Sequence, residues 1–471
     1  MFEYIIQQQC GNVLSEGMKK LVSMLLGKAT TFSEIVSSTN DMVLNLGCNL
    51  VSSLLEMADS ALASSPGVKS YFRRKTRRSR TIMTEMGPVN FVRSYYINKK
   101  TGKYCFLLDA LLGIEKYRRV DPKFRVYLCK LAAEHSYQNA CNICHNAVSK
   151  TSVMNFLREF KSYFEDGIAV ERKKGEMPKV LYIEADEDHV TYQNGDKHFE
   201  KMVYVHEGYE QVDKNHRALI NPHCFIGSYA QAGGNEELWD RLISYIRERY
   251  GDDAMSKIKL YFTSDAGRWL RTSSDWIDEI QVLDKYHVSQ ACKRAVGGGF
   301  KWNSRNCLKE WVLTGDWQMV KTFKTVYLSD PMIGTSRRKK ATKAFNYLLN
   351  NREYIDNIRF GDYHGDSTEA HISHWLASRD SSRPYSWSQE GLDSVMFFRC
   401  CKINKVNVYA EYCRKYKEER KKERAVKIDQ RVNSKAKLNA KYLDTAHHVA
   451  SNNLGVQVIF DAIENATMIN A

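Results

Sequence analysis

The chain has 471 residues, of which 70 are Lys or Arg and 55 are Asp or Glu, so its net charge is +15. Hydrophobic residues make up 43% and aromatic residues 11%, which excludes a wholly disordered chain. The length predicts about two to four domains of roughly 100–200 residues each. The positive excess favours a polyanionic partner, either nucleic acid or an anionic membrane surface.

Targeting signals are the next feature to consider. No run reaches the roughly 18–20 apolar residues that a membrane helix needs, and the opening MFEYIIQQQCGN lacks the basic and apolar regions of a secretory signal. Twelve cysteines without a regular framework are typical of reduced thiols. We therefore expect a cytoplasmic protein without a membrane-embedded segment.

Three regions are expected before the central part of the chain. Residues 1–72 show apolar residues at helical spacing, and residues 73–110 combine a basic run with a small antiparallel β-sheet. Residues 111–170 are helical again, and Ser149 to Ser152 offer N-cap chemistry for a second helix there. This arrangement is compatible with helix-turn-helix DNA binding, but many ordinary helical hairpins have the same pattern.

Six cations stand within eight residues at the start of the second region. Such density predicts either a solvated linker or an arm that contacts phosphates, and the place beside a domain boundary favours the arm. The candidate DNA-binding residues are Arg73, Arg74, Lys75, Arg77, Arg78 and Arg80.

Residues 175–290 have the pattern of an α/β domain. Three strand-like runs, an amphipathic helix, a fourth strand, a short helix and a fifth strand follow one another. This is the element order of a ribonuclease H-like domain. Within the helix NEELWDRLISYIRERYG, one face carries Leu238, Leu242, Ile246 and Tyr250.

Carboxylates stand where two of these strands end. Strand alternation puts Asp186 on the same face as Glu184 and Asp188, and puts Glu187 on the other. Asp265 ends a second apolar strand. If the two strands are neighbours, Asp186 and Asp265 point into one cleft, where a bound cation relieves their repulsion. Either Asp186 or Asp188 can be the first ligand, and the position at the end of the apolar run favours Asp186.

Oxygen ligands of this kind favour two Mg²⁺ (or Mn²⁺) ions. A third carboxylate is needed to hold the second ion, and Glu369 is the candidate. It follows Asp366, Ser367 and Thr368, which offer N-cap groups, so it falls in the first turn of a predicted helix. Taken alone, Glu369 is also explained as compensation of the helix dipole.

Several strings of the chain occur together in a known family. They are YIEADEDHV, SDAGRWL, LDKYHV and EAHISHWLASRDSSRPYSW with the following QEGLDSV, preceded by TEMGPVNFVRSYY, LLD at 107–109 and AAEHSYQNA. In this combination, residues 75–400 resemble the DDE transposases of bacterial insertion sequences, specifically the ISLre group, which is distantly related to Mutator-type transposases. The resemblance implies that Asp186, Asp265 and Glu369 are the catalytic, metal-binding triad.

The resemblance also implies supporting residues. Asp284-Lys285-Tyr286-His287 matches the Asp-x-x-His signature of the Mutator-related groups, so Asp284 and His287 are expected near the active site. The alternative for His287 is a structural histidine at a strand end. His374 and Arg379 match the helix that carries the glutamate, where they are expected to contact the phosphate of the scissile strand.

An all-helical insertion is further implied over residues 291–362, between a first part of the catalytic domain at 175–290 and a second at 363–410. Three tryptophans there can stack on flipped bases, although core packing is expected for at least two of them: Trp302, Trp311 and Trp317. Residues 411–471 are expected to form a basic helix and a tail.

The sequence thus predicts a ribonuclease H-like transposase with helical and small β N-terminal DNA-binding regions. It would bind double-stranded DNA at the terminal repeats of its element and in the target, and cut and join strands by two-metal-ion phosphoryl transfer. Joining two ends implies at least a homodimer. The rivals are a catalytically silent DNA-binding derivative and a protein of the membrane surface, and no lipid motif supports the latter.

Overall fold

The computed structural model describes residues 2–27, 30–214, 216–229, 234–265, 267, 269–297, 302–381 and 386–422. They form a mixed α/β protein that is mostly helical and divides into two compact units. The first unit lies within residues 1–128, 141–149 and 408–422, and the second within residues 129–140 and 150–407. No helix in these ranges is both long enough and apolar enough to cross a membrane.

Helices open the first unit: α1 (Phe2–Leu26), α2 (Phe32–Ser64) and α3 (Pro66–Tyr71). A capping box fixes the start of α2, since the Glu34 amide donates to the Thr31 hydroxyl at 3.3 Å and the Thr31 amide donates to the Glu34 carboxylate at 2.7 Å. The α2 helix packs against α1 and against the sheet that follows.

That sheet contains the basic run. Strands β1 (Phe72–Thr84) and β2 (Gly87–Asn98) pair in antiparallel register, and β3 (Tyr104–Cys105) pairs with β2. Strand β1 includes the basic run, because pairing with β2 satisfies its backbone while residues 73–79 stay exposed to solvent.

The remaining helices near the unit boundary are short: α4 (Leu107–Leu112), α5 (Pro122–Glu134) and α6 (Tyr137–Ile143). Residues 408–422 form another helix. The core of the first unit joins the helices to the hairpin through buried side chains that include Leu62, Val68, Phe91, Leu107 and Leu108.

A mixed five-stranded sheet is the centre of the second unit. Its strands are β4 (Val180–Thr191), β5 (Lys197–His206), β8 (His223–Gly227), β9 (Lys259–Ser264) and β10 (Ile280–Leu283). Their order is β10-β9-β4-β5-β8, in which β10, β9 and β4 are parallel and β5 is antiparallel to both neighbours. A small hairpin, β6 (Tyr209–Gln211) with β7 (Arg217–Leu219), lies between β5 and β8 in the chain.

Helix α8 (Gly234–Tyr250) packs on one face of this sheet. The four residues predicted to share its apolar face are all buried against strand residues such as Ile183 and Phe262. Helix α9 (Ala254–Lys257) precedes β9, and a 3-10 turn (Leu270–Asp275) comes after it. Helix α7 (Lys150–Tyr163), the second helix of the proposed helix-turn-helix, places Phe160 against Phe398 within this unit.

Helices occupy the segment between β10 and the end of the predicted insertion: α10 (Lys285–Val296), α11 (Trp302–Thr314), α12 (Trp317–Ser329), α13 (Thr335–Asn350) and α14 (Arg352–Asp356). They share their own core, against which Trp311 and Trp317 pack. The indole of Trp317 also donates to Asp356 at 2.9 Å. The expectation of core packing is therefore confirmed for these two, and the side chain of Trp302 lies outside the described part.

The chain returns to the sheet after α14 through a short 3-10 turn (Asn357–Arg359). Helix α15 (Thr368–His371), a π-helical stretch (Ile372–Ala377) and α16 (Ser378–Asp380) then run without interruption, followed by α17 (Gln389–Ile403). The continuous segment from Thr368 to Asp380 packs against β4 and β5.

Glu200 on β5 is a carboxyl group buried without compensation. It is fully buried, and neither of its oxygens has a hydrogen-bond partner among the described residues. Burial, followed by the charges of Asp393 and Asp380, raises its pKa well above the ordinary value. Burial therefore favours the protonated form of Glu200 in the folded chain.

Replacing Glu200 by Gln should change how stability depends on pH. Because the folded chain binds this proton more tightly than the unfolded chain, the free energy of unfolding falls as the pH rises above about 5. In Glu200→Gln that decline should be shallower in urea titrations at several pH values, while Glu210→Gln on the exposed edge of β6 should match the unmodified chain. An unchanged slope in Glu200→Gln would contradict this account.

Candidate active site

Two aspartates follow the last paired residues of neighbouring strands at one edge of the second unit's sheet. Strands β4 and β9 are parallel neighbours, the condition on which the sequence argument depended, and their last registered pair is Glu184 opposite Thr263. Asp186 and Asp265 each lie two residues further along. Each carboxylate accepts a local backbone N–H, Asp186 from Glu187 at 2.8 Å and Asp265 from Gly267 at 2.7 Å.

Negative charge accumulates at this edge. Glu187 is half-buried, and its pKa is raised by burial and by the charge of Asp265, against the lowering effects of Trp269 and Lys201. Strand alternation had placed Glu187 on the face away from Asp186. The turn after β9 nevertheless keeps Asp265 within electrostatic reach of it, so the edge carries three carboxylates.

Glu184 is the most highly coordinated side chain of the site, and it is fully buried. It accepts hydrogen bonds from the hydroxyls of Tyr204 and Tyr209 (2.7 Å for the latter) and from Nε2 of His206 at 3.0 Å. Burial alone would raise the pKa of Glu184, but the hydrogen bond and electrostatic attraction of His206, with the tyrosine hydrogen bonds, lower it to about 2. The carboxylate is therefore ionised in the folded chain.

The same carboxylate holds the segment that carries Glu369. It accepts from the Ser367 amide at 2.9 Å and from the Thr368 hydroxyl at 2.8 Å. Because Glu184 lies two residues from Asp186 on β4, this contact fixes the start of α15 beside the aspartate strand. Glu369 lies in the first turn of α15, and its side chain is outside the described part of the structure.

Strand alternation predicts only that Glu184 lies on the same face of β4 as Asp186, and the sequence assigns Glu184 no role. The available signal was a single ionisable residue inside the apolar run VLYIEA, since a charge in a buried strand is retained only when it is paired. What could not be read was the identity of its partners, because they come from β5, β6 and a segment more than 180 residues away in the chain.

The returning segment is fastened to the sheet at further points. The hydroxyl of Tyr363 lies 3.1 Å from Oγ1 of Thr263, and Lys259 forms an ion pair with Asp362 at 2.8 Å. The tyrosines Tyr182 and Tyr261 both donate to Asp362, one to its carbonyl and one to its carboxylate. These contacts explain how the chain crosses from the helical insertion back to the aspartate edge.

Asp284 and His287 lie on different elements from those expected. The strand ends at Leu283, and Asp284 caps α10 by accepting from the Tyr286 amide at 2.6 Å, so His287 lies on the helix. Asp284 is buried and forms a hydrogen bond with Asp366. Burial and the charge of Glu184 raise the pKa of Asp366, and the hydrogen bond with Asp284 partly offsets that rise. Asp284 thus contacts the segment that precedes α15, and His287 is half-buried in α10.

His374 and Arg379 have different surroundings on the Glu369 helix. His374 lies in the π-helical stretch and is exposed. Arg379 is buried, donates to the carbonyls of Ala132 (3.2 Å) and His135 (3.0 Å), and lies 4.7 Å from the ring centre of Trp387. Its guanidinium therefore holds parts of the second unit together.

His371 joins the network of Glu184 and was missed by the sequence analysis. Its Nδ1 lies 3.1 Å from the Tyr204 hydroxyl, and its ring centre is 4.0 Å from that of Trp375. Burial lowers the pKa of His371 to about 4, although the charge of Glu184 acts in the opposite direction. The imidazole is therefore neutral near pH 7, and it contacts the Tyr204 hydroxyl that donates to Glu184.

Asp188, the other candidate for the first ligand, has a separate partner. It accepts a hydrogen bond from the Ser381 hydroxyl. Burial and the charge of Asp188 together raise the pKa of the neighbouring Asp380 to about 7. Asp188 is thus hydrogen-bonded to the residue that directly follows α16.

In the first unit, the candidate DNA-binding residues divide into two groups. Those exposed along β1 include Arg73, Arg74, Lys75 and Arg77. Arg78, also exposed, lies 4.6 Å from the ring centre of Tyr95. Arg80 is instead committed to an ion pair with Asp109 at 2.8 Å, with 10% of its side chain exposed.

The donor set suits a hard cation, because the groups at the aspartate edge are carboxylate oxygens that repel one another. Within the described side chains, no three His, Cys, Asp or Glu residues converge closely enough to hold a metal ion by themselves. Glu369 is not among those side chains, so the structure presents two members of the expected triad and the backbone position of the third.

Removing the Glu184 carboxylate should loosen the attachment of α15. Glu184→Ala removes the shared acceptor of the Tyr204 and Tyr209 hydroxyls and of the Ser367 amide, and should cost about 3–5 kcal/mol, as for one partner of a buried ion pair. Urea unfolding would measure the loss, and hydrogen exchange of residues 366–377 should accelerate. The control Glu210→Ala should show neither effect, and normal exchange in Glu184→Ala would rule out the tether.

Comparison with known proteins identifies the family. The sequence profile of UPF0236, an uncharacterised protein family, matches residues 25–421. A UPF0236 protein of Caldanaerobacter subterraneus subsp. tengcongensis is 30% identical over 399 residues, 83% of this chain and 82% of the relative. A second UPF0236 protein of the same organism is 29% identical over 402 residues, which is 83% of this chain and 82% of the relative, and its name combines eleven loci. A UPF0236 protein of Streptococcus gallolyticus is 22% identical over 404 residues, 81% and 85% of the two chains. The chain belongs to the UPF0236 family.

Proposed function

We propose that this protein is a DDE-type transposase that cleaves and joins DNA strands with divalent metal ions. The observation that carries the proposal is the parallel pairing of β4 with β9, which brings Asp186 and Asp265 to one sheet edge. The tether from Glu184 to Ser367 adds the start of the Glu369 helix to the same edge.

The strand arrangement supports a ribonuclease H-like catalytic domain as part of this proposal. Numbered by their order in the chain, the strands lie in the sheet as 5-4-1-2-3, with the first three antiparallel and the last two parallel to the first. Asp186 lies on the first strand, and Asp265 directly follows the fourth. The helical insertion α10–α14 separates them in sequence from the Glu369 helix, as the resemblance implied.

The proposed reaction is an in-line displacement at a DNA phosphorus. In the first step water attacks the phosphorus and the bond from phosphorus to the 3′-oxygen breaks, which leaves a 3′-hydroxyl and a 5′-phosphate. In the second step that 3′-hydroxyl attacks a phosphorus of the target DNA, loses its proton to solvent, and is joined to the target strand as the target's own bond from phosphorus to the 3′-oxygen breaks; the released 3′-oxygen takes up a proton. Asp186, Asp265 and Glu369 would hold Mg²⁺ or Mn²⁺, which when bound activates the nucleophile and stabilises the leaving oxygen. Glu184, ionised and buried, would keep the start of the Glu369 helix beside the strand of Asp186.

Charge supports DNA as the substrate. Five cations of β1 are exposed in a single strand, and the whole chain carries a net charge of +15. Contacts of this kind neutralise phosphates independently of base sequence, so binding weakens steeply with added salt. We propose that the strand β1 is one such contact surface, and that the active complex contains at least two copies of the chain.

The relatives add a separate line of support. One UPF0236 protein of Caldanaerobacter subterraneus subsp. tengcongensis is named for eleven loci. Many gene copies of one protein in a genome are expected if the protein belongs to an element that copies or moves its own gene. The same proposal places this protein on DNA in the bacterial cytoplasm.

Loss of either aspartate should abolish Mg²⁺-dependent cleavage of duplex DNA while salt-sensitive DNA binding survives, because ligands of the metal differ from the groups that hold phosphates. The variants are Asp186→Asn and Asp265→Asn, assayed by nicking of supercoiled plasmid and by gel shift. Asp240→Asn, exposed on α8, is the matched control.

Asp188→Asn separates the two candidate ligands in the same assay and should retain cleavage. Cleavage that persists in Asp265→Asn would contradict the assignment. Binding without cleavage in the unmodified chain would instead favour a catalytically silent DNA-binding protein.

A further inference from the structure

A groove of about 860 Å³ opens in the first unit, between the β1–β3 sheet and the loop after α4. Six cationic side chains and one carboxylate, Asp109, are among the described residues that line it. Four aromatic rings share the same walls: Tyr95, Tyr104, Phe106 and Tyr117. Two of these cations, Arg78 and Arg80, belong to the basic run that the sequence predicts to contact DNA.

The floor of the groove is a buried ion network. Arg80 and Arg93 hold the two oxygens of Asp109 at 2.8 and 2.7 Å, with side chains 10% and 7% exposed. The Arg93 guanidinium also lies 3.7 Å from the ring centre of Phe106. Arg80 further donates to the carbonyls of Glu115 (2.8 Å) and Arg118 (2.6 Å), so the loop at the rim is held in place.

The rim presents aromatic surface to solvent. Tyr117 is 83% exposed and has a φ of +67°, a left-handed conformation that is unfavourable for a side chain with a Cβ atom. Arg80 donates to the carbonyls of Glu115 and Arg118, on either side of Tyr117 in the same loop. Residues kept in such conformations cluster at ligand-binding sites.

Tyr104 stands on the opposite element, β3. Its ring is stacked on Tyr95 with centres 5.2 Å apart and planes 16° apart, and 49% of the residue stays exposed. Arg78 lies over Tyr95, so the stack continues into a cation. Lys116 and Arg119 are exposed at the rim beside Tyr117.

We propose that this groove binds an unpaired nucleotide of DNA. Its base stacks on Tyr104 or Tyr117, and its phosphates pair with the exposed cations Arg78, Lys116 and Arg119. Exposed aromatic faces beside cations suit a free base, whereas a base inside a duplex has both faces covered by its neighbours. The inference rests on the proposed function for DNA as the polymer, and it adds that part of the bound DNA is unpaired.

Fluorescence of 2-aminopurine tests this with the full chain in EDTA, where cleavage plays no part. The probes are a short single strand, the same strand with its complement, and an RNA of the same sequence. The single strand should be quenched on binding, because the base stacks on tyrosine. Tyr104→Ala and Tyr117→Ala should each weaken single-strand binding about fivefold or more and reduce the quenching, with duplex affinity unchanged.

Tyr127→Ala is the matched control, since Tyr127 is 42% exposed in the same unit and lies outside the groove. Equal losses for single strand and duplex, an equal loss in Tyr127→Ala, undiminished quenching in both groove variants, or tighter binding of the RNA would overturn the proposal. Because metal is absent, failure here leaves the cleavage assay unaffected. An inactive chain that still shows tyrosine-dependent quenching would refute the transposase proposal and support the groove.

Discussion

The carboxylate of Glu184 is the contact on which the geometry of the candidate site depends. It is an ionised group in a fully buried position, where it is tolerated because three side-chain donors from β5 and β6 and two donors from the returning segment surround it. Two of these donors lie immediately before Glu369. A charge that would otherwise destabilise the core therefore becomes the device that fixes a helix start beside the strand of Asp186.

The carboxylates of the candidate site and the candidate DNA-contacting cations of β1 lie in different units. The sheet of the second unit gathers carboxylates at the aspartate edge and around Glu200, and burial or mutual repulsion raises the pKa of Glu187, Glu200 and Asp380. The first unit carries the exposed cations of β1 and the groove cations. The chain therefore has a cluster of carboxylates although its net charge is +15. This arrangement is the one expected if cations bind DNA and carboxylates bind metal, as proposed.

Much of the second unit could be predicted because its signals are local. The apolar face of α8 and the order of strands and helices follow from periodicity, and the places of Asp186 and Asp265 follow from where apolar runs end. The sequence could not reveal the partners of Glu184 or the burial of Arg379, because these depend on contacts between distant segments. Arg80 was grouped with its exposed neighbours, since a run of cations does not show which one a buried Asp109 will bind.

The most direct test of the metal site is a crystal structure of the full chain with Mn²⁺, located by its anomalous scattering. The account predicts Mn²⁺ between the carboxylates of Asp186 and Asp265, with Glu369 as a further ligand and Glu184 still hydrogen-bonded to Ser367. Mn²⁺ held by Asp188 and Asp380 instead, or no bound ion at millimolar concentration with the aspartate edge accessible to solvent, would contradict the central claim.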